Sequence, residues 1–286
     1  MDELIKKASE LTPIEEYDGV LYKRDDLFIP FPGEMLNGGK VRQAINLIYQ
    51  NLDLIRTEYH NKVATACGVD SPQGMIVSRV AKAYNLGCFI GYGNISQKTL
   101  LENNFIKHIR QNNGIVESII NQGFDNAISS RLKKLQEAGT ENNFFIIKFG
   151  IEVEKNPVVV DCIADQVKNL PDNLDNLIIP TGSGITAGSI LRGIKKYGKK
   201  IKNIYVVHVS GEDRNKKITE IAGLVPYIYV KGTGYPFHRK LERKVTDGFV
   251  LDKIYEAKVY DWMLHNLDVQ KEKTLFWVVG NANYYR

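Results

Sequence analysis

Cysteine is scarce in this chain. Its 286 residues include three, Cys67, Cys88 and Cys162, odd in number and without a C-x-x-C pair. A disulfide framework and a cysteine zinc site are thereby excluded, and the three read as small core residues, because a free thiol packs like a small hydrophobe. The five histidines, His60, His108, His208, His238 and His265, show no metal-ligand spacing; His265, late in a predicted helix, reads as a surface or cap residue, and no metal is expected. No apolar run reaches the ~18 residues of a membrane helix. The opening MDELIKKASE lacks the apolar core of a secretory signal, so the expectation is a cytoplasmic protein without membrane contact. Internal repeats and low-complexity tracts are absent. Neither sign of charge dominates: 38 basic and 33 acidic residues leave +5, spread along the chain. The densest basic run, Lys195–Lys200, falls where a predicted helix ends, and lysines there favour the helix dipole. It reads as a solvated terminus more readily than as a nucleic-acid patch, although the basic balance suits an anionic substrate or carrier.

What is present is a globular composition, 43% apolar and 25% charged, long enough for one large domain or two smaller ones. Short apolar or β-branched runs predict strands at 62–66, 88–92, 114–119, 144–149, 177–180, 204–209 and 275–279. Helical stretches fall between them at 41–55, 74–84, 99–111, 126–137, 157–168, 185–196 and 256–266. Runs without strict alternation suit strands buried on both faces, and strand-helix alternation predicts α/β architecture with parallel sheets and flanking helices.

Two stretches break that rhythm. The first, Pro180-Thr181-Gly182-Ser183-Gly184-Ile185-Thr186, joins an apolar strand to a helix. Its glycines let the backbone turn tightly and aim several N–H groups at one point beside a positive dipole end, with the hydroxyls of Thr181, Ser183 and Thr186 at hand: a phosphate site. A plain capped turn is the bland reading. No lysine follows as a P-loop requires. Gly182-x-Gly184-x-x-Ala187, with Glu212 and Asp213 beyond the next strand, loosely matches a dinucleotide pattern, which keeps an NAD-binding dehydrogenase open. The second stretch is Asn37-Gly38-Gly39-Lys40, opening a helix with Val41 and Arg42.

A glycine-glycine-lysine alone says little, but it stands in order after Leu11-Thr12-Pro13-Ile14 and Leu21-Tyr22-Lys23-Arg24-Asp25-Asp26-Leu27. Val158–Cys162, Leu251-Asp252-Lys253-Ile254-Tyr255-Glu256-Ala257-Lys258 and Leu275-Phe276-Trp277 with Gly280 follow. Nearly end to end, this resembles the fold-type II pyridoxal-phosphate (PLP) enzymes, tryptophan synthase β-like in fold, and within them the 1-aminocyclopropane-1-carboxylate (ACC) deaminase and D-cysteine desulfhydrase family. The resemblance implies two α/β domains with the cofactor in the cleft between them. Residues 1–45 with 146–286 would form the large PLP-binding domain, and 46–145 a small inserted one. Lys40 would carry PLP as a Schiff base and shuttle protons at the substrate Cα, helped by burial and nearby positive charge. Thr181, Gly182, Ser183, Gly184, Ile185 and Thr186 would hold the phosphate. Glu256, favoured over Asp247, would face the pyridine nitrogen and keep the ring an electron sink. Tyr235 and Tyr255 match two active-site tyrosines that could stack on the cofactor or move protons. Ser71, Gln73 and Gly74 match the loop that binds the substrate carboxylate; Ser71 could be a catalytic hydroxyl, a cap on the following helix, or both.

Departures gather where substrate and ring would sit. Pro72 replaces an asparagine, Asn37-Gly38-Gly39-Lys40 stands for Gly-Gly-Asn-Lys, and Val279-Gly280-Asn281 stands for Thr-Gly-Gly. Proline is missing after Asp252, and the segment between Tyr235 and Tyr255 is short. The expectation is a PLP-dependent deaminase or lyase of a small amino acid, ACC-, D-cysteine- or serine-like, working through a Cα carbanion. A homodimer is implied by the resemblance alone. The alternatives are a PLP enzyme whose amino acid rides on a larger anionic carrier such as a modified nucleotide or nucleic acid, and a catalytically silent PLP carrier.

Overall fold

The computed structural model describes residues 2–121, 125–138, 143–151, 157–209, 213–269 and 271–285. The chain divides into two compact units, one of Met1–Arg42 with Val160–Asn283, the other of Gln43–Val159 with Tyr284–Arg286.

The first unit is built on a six-stranded sheet ordered β1-β2-β10-β7-β8-β9. These strands are Ile14–Tyr17, Val20–Arg24, Thr274–Val278, Leu174–Thr181, Ile201–His208 and Ile228–Val230. Only the β1–β2 hairpin is antiparallel; every other pairing is parallel. Alternation decides which side chains go to which face. Leu177, Ile179, Leu275 and Trp277 point to one side, where they pack with Ile163 and Val167 and with Ile190 and Leu191 of α9 (Ile185–Lys196). Ile178, Phe276 and Val278 point to the other, against Val259 and Met263 of α11 (Glu256–Asn266). Both faces of the central strands are therefore buried, as their unbroken apolar sequence requires.

The second unit holds a parallel sheet ordered β5-β4-β3-β6, made of Gly114–Ser118, Gly87–Tyr92, Lys62–Ala66 and Phe145–Ile147. Ala64, Ala66 and Phe144 pack with Ile128 and Leu132 of α7 (Asp125–Glu137), and Phe89 stacks on Phe144 at 5.7 Å. Because β6 pairs with β3, the boundary expected between residues 145 and 146 falls inside a strand of this sheet.

Helix α2 (Gly39–Gln50) buries Val41, Ala44, Ile45 and Ile48 completely, an i, i+3, i+4, i+7 face. The single helix expected over 41–55 ends at Asn51, whose amide donates to Leu47 O (2.8 Å), and resumes as α3 (Leu52–Glu58). The helix expected over 99–111 is likewise two, α5 (Gln97–Glu102) and α6 (Asn104–Gln111). Asn103 between them is extended, and its side chain accepts from Ile106 N at 3.1 Å as the α6 cap. No helix of the described residues is long and apolar enough to cross a membrane.

Candidate functional site

Strands β2, β10 and β7 run parallel and side by side, so their carboxyl ends share one edge of the first unit's sheet. Ligands of open α/β sheets gather at such an edge. Three segments leave it here: residues 25–39 leading to Lys40, the turn Val279–Asn281, and the glycine loop at 182–184.

The first two are clasped together. Gly39 N donates to Val279 O (2.9 Å). The Asn37 amide donates to Asn281 O (2.8 Å) while its oxygen accepts from Asn281 N (2.7 Å). Two of the departures from the family pattern thus meet each other, asparagine answering asparagine. Gly38 sits between them at φ +91°, and a Cβ there would lie 2.6 Å from Val279 O and 2.7 Å from Gly280 Cα. Only glycine meets both demands. Gly38→Ala is expected to destabilise the protein by at least about 2 kcal/mol, read as a lower denaturant midpoint, through left-handed backbone strain and overpacking.

Beneath this clasp lies a buried polar scaffold made by the N-terminal motif. Asp25 accepts from Thr12 Oγ1 (2.7 Å) and from Trp277 Nε1 (2.9 Å). Lys23, fully buried, donates to Thr12 O and Asn169 Oδ1, both at 2.7 Å, and burial pulls its pKa down to about 8. The Arg42 guanidinium lies 4.0 Å over the Phe28 ring and donates to Ala8 O and Glu10 O. These residues fix the start of α2, which carries Lys40, half-buried, as its second residue.

Glu256 opens α11 and is fully buried. Its Oε1 accepts from Val279 N (3.1 Å) and Gly280 N (3.2 Å), whereas Oε2 is buried with no hydrogen-bond partner among the described residues. Loss of hydration, with the nearby Asp252 carboxylate adding to it, holds the Glu256 pKa well above the ordinary carboxylate value. Asp252 itself ties the turn before α11 to the last segment: it accepts from Ile254 N (2.9 Å), Tyr255 N (3.0 Å) and Ala282 N (3.1 Å).

The glycine loop leaves β7 and enters α9 through Gly184 at φ +90°. No side chain caps this helix and its first turn holds no acidic residue, so among the described residues no side chain satisfies its leading N–H groups. Ser183 and Thr186 are half-buried beside them, and Thr181 is buried. A Cβ on Gly182 would lie 3.1 Å from Tyr255 Cε1, so the missing side chain admits the Tyr255 ring against the loop. His208, fully buried at the end of β8, bonds Gly182 O through Nε2 at 2.7 Å and steadies the loop from below.

Within this unit, then, Lys40 and Glu256 are joined through the 279–281 turn, and Tyr255 lies against the glycine loop. Tyr235 is placed differently. Its hydroxyl donates to Asp261, which Arg243 holds at 2.6 and 2.8 Å, and it is Phe237 whose ring meets Tyr255, at 5.9 Å. His208, Asp252, Asn37 and Asn281 were not singled out as site residues by sequence. His208 carried no local signal, Asp252 stood inside a matched segment without a role of its own, and the asparagines were visible only as departures.

In the second unit, Ser71 Oγ accepts from Gln73 N (3.3 Å) just ahead of α4 (Gln73–Ala83), but the residue at the cap position is Pro72 and no side chain caps the helix. The Gln73 side chain corrects its expectation as a substrate ligand. Fully buried, it donates to Thr65 Oγ1 (2.7 Å) and Lys148 O (3.0 Å) and accepts from Gly150 N (2.6 Å), so only its backbone can face outward. Gly74 serves packing: a Cβ would meet Ile90 Cγ2 at 3.0 Å and Ile109 Cδ1 at 3.1 Å. Among the described residues no cluster of three histidine, cysteine or acidic side chains could hold a metal.

No family model matches the chain. Among curated proteins it is similar to the O-seryl-dTMP PLP-dependent decarboxylase of Salmonella phage ViI, 25% identical with 93% of this chain and 78% of that protein covered. Among solved structures it is similar to an ACC deaminase homologue, at TM-score 0.73 and 17% identity, over 98% of this chain and 95% of that one. It is also similar to the Escherichia coli diaminopropionate ammonia lyase, at TM-score 0.67 and 13% identity, over 100% and 90%. The processed threonine deaminase isoform 2 of Solanum lycopersicum follows at TM-score 0.65 and 16% identity, over 99% and 88%. The fold is that of the fold-type II PLP-dependent enzymes.

Proposed function

We propose that this chain is a PLP-dependent enzyme that breaks a bond at the Cα of a serine-like amino acid carried on a nucleotide. The observation that carries the cofactor is the lone Oε2 of Glu256: a fully buried carboxyl with one oxygen satisfied by two backbone N–H groups and the other left without a partner. Such an atom calls for a polar partner from outside the chain, and a pyridine nitrogen supplies one. The uncapped start of α9, with Ser183 and Thr186, suits the phosphate. A dinucleotide reading leaves Lys40 and Glu256 without a role. Of the two acidic residues it needs, Asp213 is exposed and accepts from Asn215 N, and Glu212 lies outside the described residues.

When bound, PLP supplies an electron sink for the pair released from a bond at the substrate Cα. The chain's own residues do the rest. Lys40 Nζ holds the cofactor and carries protons to and from Cα. Glu256 orients and charges the ring nitrogen from a dry site, where such an interaction is strongest. The α9 N–H groups and the hydroxyls of Ser183 and Thr186 anchor the phosphate, with His208 keeping the Gly182 carbonyl turned away from it. Tyr255 provides a ring face beside the glycine loop.

The nucleotide-borne substrate is supported by the phage protein, whose name specifies an O-seryl nucleotide and loss of carboxylate. A second reading, elimination or deamination of a free small amino acid, is favoured by the deaminases and lyases among the structural neighbours. The test has two stages. Borohydride reduction of the protein after PLP is added should fix the cofactor's mass on the Lys40 peptide and abolish the visible absorbance; a colourless protein with no labelled peptide overturns the cofactor. Mass analysis then separates loss of carbon dioxide from an O-seryl nucleotide from release of ammonia from serine, D-cysteine or ACC. Ser71→Ala should change stability by no more than about 1 kcal/mol, the ordinary net worth of one hydrogen bond. A fall in kcat above about tenfold would assign its hydroxyl to the reaction.

A further inference from the structure

Residues 231–244 form an exposed strip of the first unit. Lys231, His238, Arg239, Lys240 and Lys244 are exposed along it, and Phe237 keeps 41% of its surface open. Glu242, the sole acidic residue of the strip, is neutralised by Lys253 at 2.5 Å, and Arg243 is committed to Asp261. Among the described residues, Lys231, Arg239, Lys240 and Lys244 are left without an ion-pair partner on the chain. The strip has little secondary structure of its own, only one bridge between Lys244 and Val250. It is nevertheless held firmly from below by charged side chains of α11. Fully buried Lys258 donates to Pro236 O (3.0 Å) and Phe237 O (2.6 Å), and Asp261, 5% exposed, accepts from Tyr235 and Arg243. Removing an ammonium from water is costly. Committing one to two carbonyls of a surface loop makes sense where the shape of that loop matters.

What is presented is a row of cations around an open aromatic ring, and the row leads back into the site. Phe237 meets the Tyr255 ring at 5.9 Å, and Tyr255 lies against Gly182 of the glycine loop. Arg239 sits over the Tyr235 ring, 5.1 Å from its centre. Cations that follow a phosphate backbone and an exposed ring that stacks on an unpaired base are what binding of single-stranded nucleic acid requires. An acidic peptide would satisfy the cations and leave the ring idle, and a duplex keeps its bases stacked on one another.

We infer that the 231–244 strip docks a single-stranded polynucleotide, so that the nucleotide bearing the amino acid is one residue of a strand. This rests on the nucleotide-borne substrate proposed above and extends it from a mononucleotide to a polymer. The test is fluorescence anisotropy of a labelled single-stranded oligodeoxynucleotide, without any attached amino acid, titrated with PLP-supplemented full-length protein across a range of salt. Four cations at about −0.7 each predict a log–log salt slope of about −3. Arg239→Ala, Lys240→Ala and Lys244→Ala combined should bring the slope to about −1. Phe237→Ala should weaken binding about 5- to 100-fold at every salt and leave the slope alone. Lys200→Ala with Lys202→Ala, exposed elsewhere on the same unit, should change neither. Absence of binding at low salt, an unchanged triple variant, equal losses in the Lys200/Lys202 variant, or equal competition by polyglutamate would each overturn the inference. The visible cofactor absorbance, followed in the same samples, separates the two readings: binding without colour sinks the cofactor and spares the strip, and colour without binding does the reverse.

Discussion

Lys40→Ala is expected to yield a folded protein whose turnover is about a thousandfold or more below wild type. Two losses add up. The cofactor loses its covalent tether, and the substrate Cα loses the amine that moves its proton, a role worth about 10²–10⁴ in rate by itself. Stability should hardly move, because Lys40 is half-buried at the start of α2 and alanine is the best helix former. Glu256 and the start of α9 proposed for the phosphate remain, so PLP should still bind without covalent attachment, and borohydride should no longer label the protein. A small primary amine such as methylamine should restore part of the activity, which no purely structural lysine would allow. Full activity in Lys40→Ala would remove Lys40 from the chemistry altogether.

Glu256→Gln is expected to cut kcat about a hundredfold or more while making the cofactor-free protein more stable above pH 5. The activity loss follows from replacing a charge at the ring nitrogen by a neutral amide in a dry site. The stability gain follows from proton linkage. Burial raises the Glu256 pKa well above its ordinary value of 4.5. Below 4.5 the carboxyl is protonated whether the chain is folded or not, and wild type and variant should be alike. As pH rises past 4.5 the unfolded chain releases the proton and the folded one keeps it, so folding is progressively penalised until the folded pKa is passed. Glutamine cannot ionise, and its oxygen can still accept from Val279 and Gly280. The Tm difference between variant and wild type should therefore widen from pH 4.5 upward without PLP. A constant difference would mean that Glu256 is ionised in the folded protein.

The sheet strands and the glycine loop between β7 and α9 were legible because their signals are local. An apolar run such as Leu177–Pro180 has to be buried on both faces, and glycines between a strand and a helix admit few geometries. The β1–β2 hairpin has an equally local signal. Asp18-Gly19, at φ +50° and +74°, is the dipeptide that a two-residue hairpin turn favours. Asn51 and Asn103 were absorbed into longer helices because apolar periodicity continues through them, although each can offer the backbone a competing hydrogen bond. The site was legible only in part. Lys40 and Glu256 stood out by their company in the sequence. Their connection through Val279 and Gly280 depends on contacts more than 20 residues apart, which no local pattern encodes. Gln73 illustrates the opposite limit: a motif position that looked like a ligand proves to hold α4 to its own sheet.

The order of strands in the large sheet sets a timetable for this protein's birth. β10 lies between β2 and β7, so a growing chain that has reached residue 270 carries two strands with unpaired edges and a gap between them. Such edges invite pairing with other chains. Residues 274–281 then fill the gap and deliver both the N–H groups that grip Glu256 and the Asn281 backbone that Asn37 clasps. The proposed site can therefore form only after residues 274–281 have left the ribosome. A nascent or C-terminally clipped chain should stay colourless in PLP and lean on chaperones.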